Sequence, residues 1–319
     1  MTTIPRRTLI IQLLVSLVAL AAVVWWASRQ HMPTLDGGSA GKLALALGIY
    51  ALASLARGER WHRVLLLVDG RSSRGDAYSL TTVGYMGNNT LPARAGDVLK
   101  SVLTARRTGL ATPEVLGAAV AERVLDAVAL GTIFLVLGGL ILRDAGLPAA
   151  HAVIGVLIAV VLLAGLVIAL PRIRRGHPRL QRFVGLVVQL LRPSRALLSP
   201  AGALLLVGSL LIWVIEATVY DTVAHAVGLP LSGLDALYLV ALTNLVALVP
   251  AAPGYVGTFD AAVVFGVRAL TGSAAGAAGY VVALRLVLFV PITLAGLALL
   301  VVRHGGLDTL RAVRTRTDH

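Results

Sequence analysis

Long uninterrupted runs of hydrophobic residues dominate this sequence and predict helices that cross a membrane. The runs cover residues 9–27, 41–56, 113–142, 149–170, 201–224 and 275–302, with few or no charged positions in each. A membrane-spanning helix needs about 20 mostly apolar residues, so we interpret each run as one span. The predicted fold is an all-α polytopic membrane protein with about six transmembrane helices.

Two further apolar regions, 76–107 and 235–270, are interrupted near their middles by Pro, Gly and other small residues. Each region is long enough for two half-length helices. Non-helical backbone at membrane depth is tolerated only where protein or a water-filled cavity satisfies its polar groups. We therefore predict two re-entrant helical hairpins, with tips at residues 92–96 and 250–257. The alternative is a surface loop between short helices.

The basic residues predict the orientation of the chain. If the N-terminus is cytoplasmic and each hairpin returns to its own side, 22 of the 28 Lys and Arg residues face the cytoplasm. Four face the other side, and Arg123 and Arg285 lie within spans. Because cytoplasmic loops are enriched in Lys and Arg, we predict a bacterial-type plasma (inner) membrane protein with both termini in the cytoplasm.

The formal net charge of +13 is therefore interpreted as a topology signal, and no nucleic acid partner is predicted. Residues 171–199 form a predicted cytoplasmic loop. Within it, residues 178–191 combine arginines with apolar positions in a pattern typical of a helix lying on the membrane surface. An ordinary polar connector is the alternative.

The two broken regions and the spans that follow them predict an internal repeat within a single membrane domain, residues 1–319. The copies cover about 76–142 and about 235–302, and the sequence Pro-Ala-x-x-Gly occurs at 92–96 and at 250–254, an offset of 158. Three spans separate the two hairpins, so the second copy enters from the opposite face. Inverted repeats with broken helices are typical of secondary transporters, whose substrate binds near the membrane midplane.

Charged residues within the spans predict a binding site, because a central charge costs on the order of 3 kcal/mol. Arg123 and Arg285 are predicted to receive an anionic headgroup, while Glu122, Asp126 and Glu216 balance charge or carry protons. The alternative is purely structural pairing between helices, for example of Arg123 with Glu216. The remaining candidate residues lie around the two breaks: Asn88, Asn89, Arg94, Gly96, Asp97, Lys100, Asn244, Pro253, Gly254, Gly257 and Asp260.

Arg94 and Lys100 have an alternative role, in which their side chains extend to anionic lipid at the inner surface. Signatures of other chemistry are lacking. The sequence contains no cysteine, no phosphate-binding loop, no dinucleotide fingerprint and no His-Glu-x-x-His motif. We predict no cofactor, no metal and no catalytic residue.

Three segments resemble the transmembrane, flippase-like region of the lysylphosphatidylglycerol synthase family: 84–100 (GYMGNNTLPARAGDVLK), 122–126 (ERVLD) and 253–260 (PGYVGTFD). The resemblance covers about residues 40–302, and the family includes stand-alone membrane proteins. It implies a lipid flippase or translocase that moves a phospholipid or lipid-linked headgroup between leaflets. The cavity residues that it implies are Arg94, Gly96, Asp97, Glu122, Arg123, Asp126, Gly254, Gly257 and Asp260. The family often has Glu where this chain has Asp97 and Asp260.

Together these observations predict a flippase-like transporter for a lipid with an anionic or zwitterionic headgroup, held in a midplane cavity between the hairpins. Full-length synthases of the family carry a soluble aminoacyl-transfer domain. This sequence ends about 17 residues after its last predicted span, so synthesis of aminoacylated lipid is not expected. Two alternatives stay open. One is a membrane-embedded transferase acting on a polyprenyl-phosphate-linked substrate, with Asp97, Glu122 or Asp126 as base or metal ligand. The other is a non-catalytic partner of an envelope biosynthesis enzyme.

Overall fold

The computed structural model describes residues 37–69, 72–91, 94–141, 197–248 and 252–305. Within these ranges the chain is helical and contains no strand. The predicted spans 9–27 and 149–170 and the predicted surface helix at 178–191 lie outside the described residues.

The described helices, numbered in chain order, are α1 (Gly37–Asp69), α2 (Arg74–Thr90), α3 (Ala95–Thr108), α4 (Thr112–Ile141), α5 (Pro200–Ala226), α6 (Gly233–Ala247), α7 (Thr258–Thr271), α8 (Ala277–Leu288) and α9 (Val290–Arg303). A short 3₁₀ turn, Pro253–Tyr255, precedes α7. Four segments are long and apolar enough to cross a membrane: Gly38–Val68, Thr112–Leu140, Pro200–Ala226 and Ala277–Arg303. They correspond to the predicted spans at 41–56, 113–142, 201–224 and 275–302, so the all-α membrane class is confirmed.

Helix α1 is longer than the sequence pattern predicts. The apolar run ends at Arg57, but the helix continues to Asp69. Arg57 and Arg60, which the orientation prediction places among the cytoplasmic residues, are buried within the bundle, with side chains only 4% and 3% exposed. The helix can continue through these charges because carboxylates on neighbouring helices pair with both of them.

The last span consists of two helices joined at a kink. Helix α8 ends at Leu288 and α9 begins at Val290, with Pro291 in the first turn of α9. Proline lacks the backbone N–H and its ring clashes with the preceding turn, which bends a helix. The kink places Phe289 at the wall of a central cavity.

Helices α2 and α3 pack against each other as one hairpin, and α6 and α7 form a second hairpin. The four arms have 14 to 17 residues, about 21–26 Å at 1.5 Å per residue, which is shorter than a hydrocarbon core of about 30 Å. Helices α2 and α3 approach closely through glycines, since a Cβ atom on Gly87 would lie 2.6 Å from the Cα atom of Gly96. Residues Gly109 and Gly272 end the second arms in the same left-handed conformation.

The open ends of the two hairpins lie at different ends of the bundle. At the Arg303 end, the guanidinium of Arg303 lies 3.6 Å from the carboxylate of Asp76, at the start of α2, and Arg107 donates to the carbonyl of Arg303. At the Lys42 end, Lys42 near the start of α1 donates to the carbonyl of His225 near the end of α5, the helix that leads into α6. The bends of both hairpins therefore point toward the middle of the bundle.

The outer surface of the bundle is apolar. Many large side chains on the long helices are more than half exposed, including Leu45, Leu52, Leu55, Leu140, Leu204, Leu211, Leu286 and Leu294. A soluble monomer rarely exposes so much contiguous apolar surface, whereas acyl chains cover such residues at no cost. The surface therefore agrees with a protein surrounded by lipid.

Candidate functional site

A cavity lies between the two hairpin bends and helices α1, α4 and α5. Its lining combines aromatic rings, three arginines, two carboxylates and two amides: Tyr50, Arg57, Tyr85, Asn89, Arg94, Arg123, Asp126, Trp213, Glu216, Tyr220, Asn244, Tyr255, Phe259 and Phe289.

The first bend positions a carboxylate against the arginine of the following span. Arg94 precedes α3 with a left-handed backbone, φ 58°, which is uncommon for a residue other than glycine. Asp97 lies in the first turn of α3. Arg123 of α4 donates to Asp97 through Nε (3.1 Å) and Nη2 (2.8 Å) and to Asp126 through Nη1 (3.2 Å). Asn88 also donates to Asp97, at 3.1 Å.

The second bend repeats this arrangement. Asp260 lies in the first turn of α7 and accepts a hydrogen bond from the backbone of Gly257 at 2.8 Å. Arg285 of α8 donates to Asp260 through Nε (2.7 Å) and Nη2 (2.9 Å), and to the carbonyl of Gly254 through Nη1 (3.1 Å). Its guanidinium lies 5.5 Å and 5.0 Å from the ring centroids of Phe259 and Phe289. Arg285 thus holds the second bend and does not line the cavity.

The structural correspondence between the hairpins differs from the sequence match. Asp97 and Asp260, both in first turns, are 163 positions apart, as are Gly109 and Gly272. The sequence match of Pro-Ala-x-x-Gly used an offset of 158 and paired Gly96 with Gly254. Gly96 lies in the first turn of α3, whereas Gly254 lies in the 3₁₀ turn before α7, so that pairing is corrected. The second bend, residues 248–257, is six residues longer than the first, residues 91–94.

The two bends touch each other. Arg94 donates from Nη1 to the carbonyl of Ala247, the last residue of α6, at 2.6 Å. The guanidinium of Arg94 also lies 5.6 Å from the ring centroid of Tyr255 in the second bend. A Cβ atom on Gly254 would lie 3.4 Å from the carbonyl oxygen of Asn89. A displacement of one bend therefore changes contacts of the other.

Behind the cavity lies a network of buried charges. Arg60 donates to Asp126 at 2.6 Å and to Glu122 at 3.3 Å, and Lys100 donates to Glu122 at 2.5 Å. The Nζ atom of Lys100 lies 3.8 Å from the ring centroid of Trp61. The side chain of Lys100 is 4% exposed, so its predicted alternative of reaching lipid at the inner surface is wrong.

Arg57 is a site residue that sequence reasoning missed. It forms an ion pair with Glu216 of α5. Its guanidinium carbon lies 5.9, 5.5 and 5.3 Å from the ring centroids of Tyr50, Tyr85 and Trp213. The sequence does carry a signal, because residues 64–68, Val-Leu-Leu-Leu-Val, resume an apolar pattern after the charges of 57–63.

The structure brings six of the predicted residues to the cavity wall: Asn89, Arg94, Arg123, Asp126, Glu216 and Asn244. Five pack behind the wall around the first bend: Asn88, Gly96, Asp97, Lys100 and Glu122. Another five build the second bend: Pro253, Gly254, Gly257, Asp260 and Arg285. The alternative pairing of Arg123 with Glu216 is not found, since Glu216 pairs with Arg57 and Arg123 pairs with Asp97 and Asp126.

The charges around the first bend and the cavity do not cancel. Five cations (Arg57, Arg60, Arg94, Lys100 and Arg123) meet four carboxylates (Asp97, Glu122, Asp126 and Glu216), a formal excess of one positive charge. In a site of low dielectric, an uncompensated charge interacts much more strongly than in water. Across the described ranges, no group of three or more His, Cys, Asp or Glu side chains is arranged to hold a metal ion.

Fold and cavity together define a polytopic helical membrane protein with a polar, basic site inside an apolar bundle. The family model of the lysylphosphatidylglycerol synthase TM region matches residues 9–296. The chain therefore belongs to this family of membrane, lipid-related proteins, as the resemblance implied. No curated protein and no solved structure matched the chain.

Proposed function

We propose that this protein moves a phospholipid or a lipid-linked headgroup between membrane leaflets, with the headgroup held in the cavity between the hairpin bends. The observation that carries this proposal is the contrast between the cavity and the outer surface. Three arginines and two carboxylates line a space inside helices whose outward faces are leucine-rich. A lipid needs both environments at once, a polar path for its headgroup and an apolar one for its acyl chains.

The excess positive charge favours an anionic or zwitterionic headgroup. A phosphate is a strong acceptor for guanidinium groups, and a lipid phosphate would compensate the unmatched cation. Within this proposal Arg123 and Arg94 present charge to the cavity, and the carboxylates Asp97 and Asp126 orient Arg123. Arg285 is proposed to act indirectly, by holding the second bend in place.

We further propose six spans and two re-entrant hairpins of opposite orientation, in a plasma membrane with both termini cytoplasmic. Two observations support this arrangement. The open end of the first hairpin lies at the Arg303 end of the bundle, and the open end of the second hairpin lies at the Lys42 end. The repeated Asp–Arg pairs, Asp97 with Arg123 and Asp260 with Arg285, have the same geometry relative to their bends. Opposed hairpins of this kind allow alternating access to a central site.

Transport is tested by reconstituting the protein in vesicles of phosphatidylglycerol that contain a fluorescent phosphatidylglycerol. A membrane-impermeant reductant bleaches the outer leaflet, and transport exposes the inner-leaflet dye. We expect the double variant Arg123→Gln/Asp97→Asn to slow the second phase at least about tenfold, because two or more charge-assisted hydrogen bonds are lost. The double variant Arg303→Gln/Asp76→Asn is the control. It makes the same chemical change in an ion pair at the end of the bundle, and it should keep the wild-type rate.

The proposal fails if the reductant bleaches no more fluorescent lipid in vesicles that contain the wild-type protein than in empty vesicles. Equal slowing by both double variants would also contradict it, because the effect would then follow from loss of any Asp–Arg pair and not from the cavity.

The orientation of the hairpins is tested with single cysteines, since the sequence has none. Ala95→Cys and Ala252→Cys report on the two bends, where both residues are partly exposed, and Ala111→Cys and Ala274→Cys report on the exposed open ends. A membrane-impermeant maleimide is applied to intact cells and to inverted vesicles. We expect Ala95 and Ala111 to be labelled from the cytoplasm and Ala252 and Ala274 from outside. Labelling of both open ends from the same face would contradict the opposed arrangement.

A further inference from the structure

We infer that Arg57 and Trp213 form the phosphate-binding subsite of the cavity, together with Arg94, and that Arg123 has a supporting role. The ligand class is the phosphate of a lipid headgroup. This inference rests on the proposed function and goes beyond it, because it assigns the anion to side chains outside the hairpin–arginine pairs.

The three cavity arginines differ in how many of their donors are already used. Arg123 directs Nε, Nη1 and Nη2 at two carboxylates. Among the described residues, Arg57 has one acidic partner, Glu216, and its Nε atom has no hydrogen-bond acceptor. The Nε atom of Arg94 likewise has no acceptor in the described ranges, although Asp97 lies 3.7 Å away. The Nε–H groups of Arg57 and Arg94 therefore remain available to a ligand, whereas the Nε–H group of Arg123 already donates to a carboxylate.

Trp213 adds a third unmatched donor to the same wall. Its ring is 4% exposed, and its Nε1 atom has no acceptor within the described part of the chain. A buried donor that leaves its hydrogen bond unmade is costly, so such groups are rare unless a ligand or water completes them. Three such nitrogens belong to side chains that line one cavity. All three nitrogens are occluded from water in this structure, so we expect side-chain rotation to present them to an oxyanion in the cavity, which has enough acceptor oxygens for all three.

The aromatic surroundings favour this position for a lipid phosphate. The rings of Tyr50, Tyr85 and Trp213 surround the guanidinium of Arg57, whose side chain is only 4% exposed, and we expect this packing to limit its hydration and its motion. A fixed, poorly hydrated guanidinium binds an oxyanion without first being ordered. The pair Arg57–Glu216 is itself neutral. The negative charge of the phosphate is therefore balanced by the excess positive charge of the rest of the site.

Binding is measured by calorimetric titration of the detergent-solubilised full chain with dihexanoyl-phosphatidylglycerol, a short-chain lipid that dissolves as monomers. The variants are Trp213→Phe, which removes Nε1–H but keeps a ring, and Arg57→Lys, which keeps the charge opposite Glu216 but removes Nε–H. We expect each to raise Kd about tenfold or more, as expected for loss of a hydrogen bond to a charged group.

Trp61→Phe is the matched control. The Nε1 atom of Trp61 is also buried without an acceptor among the described residues, but Trp61 contacts Lys100 and does not line the cavity. Trp61→Phe should bind the short-chain lipid with the wild-type Kd. Thermal melts of every variant establish that it is folded, and Arg57→Lys decides the matter if Trp213→Phe does not fold.

The inference is overturned if Trp213→Phe and Arg57→Lys bind like the wild type, or if Trp61→Phe weakens binding equally. Titration with inorganic phosphate distinguishes the two sources of the anion. Binding of inorganic phosphate as tight as that of the lipid, with the same dependence on Trp213, would overturn the assignment to a lipid. The vesicle assay separates this inference from the proposed function. Wild-type transport without Trp213-dependent binding refutes the subsite alone, and Trp213-dependent binding without transport refutes the transport proposal alone.

Discussion

Replacing Arg60 with methionine is expected to lower the free energy of unfolding by about 3–5 kcal/mol, the typical cost of removing one partner from a buried ion pair. Methionine preserves most of the side-chain length, so the loss arises from charge. Asp126 and Glu122 would remain in the bundle without the guanidinium that now bridges them at 2.6 Å and 3.3 Å. Ser209 would lose its hydrogen bond from Arg60 as well. The measurement is a denaturant-unfolding curve in detergent.

Arg63→Met is the control for this prediction. Arg63 lies on the same helix, but its side chain is 52% exposed and pairs with Glu59. Exposed pairs contribute at most about 1 kcal/mol, so this variant should unfold nearly like the wild type. Adding Asp126→Asn to Arg60→Met should recover part of the loss, because one of the two carboxylates that lose Arg60 is neutralised. Equal destabilisation by Arg60→Met and Arg63→Met would contradict a structural role for the buried network.

Replacing Gly96 with alanine is expected to destabilise the first hairpin by about 3 kcal/mol, at the upper end of the usual cost of overpacking. A Cβ atom at this position would collide with the carbonyl oxygen of Gly84 and the backbone nitrogen of Asn88. Both are backbone atoms of α2, so relief requires the two arms to separate. That separation would also displace Asp97 from Arg123, and we expect lipid transport to fall along with the melting temperature.

Gly131→Ala is the matched control for Gly96→Ala. Gly131 lies within α4, and a Cβ atom there meets nothing within 4 Å. Alanine in a helix interior is favoured over glycine by about 0.5–1 kcal/mol, so this variant should be slightly more stable than the wild type. A similar loss of stability in both variants would show that glycine content, and not the contact between α2 and α3, sets the effect.

The spans and the two breaks could be predicted because their signals are local. Thr112–Leu140 and Pro200–Ala226 are helices of 29 and 27 residues whose most apolar stretches have mean hydropathies of 1.8 and 2.1, which is typical of helices that cross a bilayer. The breaks follow from backbone chemistry, since proline near residues 92 and 250–253 disrupts a helix and Gly254 and Gly257 have positive φ values. Arg123 could be predicted as a site residue because its signal is also local: a charge inside an apolar run requires a partner.

The role of Arg57 and Arg60 could not be predicted from local pattern. Their carboxylate partners, Asp126 and Glu216, lie 66 and 159 positions further along the chain. Hydropathy counts such arginines as the end of a span, because it does not include the charges that tertiary structure brings to them.

The sequence match between Gly96 and Gly254 failed for a different physical reason. Short motifs of small residues recur easily in a chain containing 33 glycines, and the match of Gly96 with Gly254 joined residues with different tasks. Gly96 allows two helices to touch, whereas Gly254 adopts a positive φ of 62° in a turn. The better markers were Asp97 and Asp260, because a carboxylate in the first turn of a helix is stabilised there by the helix dipole.

The unequal bends imply a preferred resting state. A carrier with two identical inverted halves would populate its inward-facing and outward-facing forms equally, because exchanging the halves converts one form into the other. Here the residue before α3 is Arg94, with a positive φ of 58°, whereas the residue before α7 is Gly257, with a positive φ of 86°. That conformation costs an ordinary residue roughly 1–2 kcal/mol, and it costs glycine almost nothing. For the proposed transporter, a form that relaxes Arg94 would be favoured by about one order of magnitude in population. In the absence of lipid, the cavity would then be accessible mainly from one leaflet.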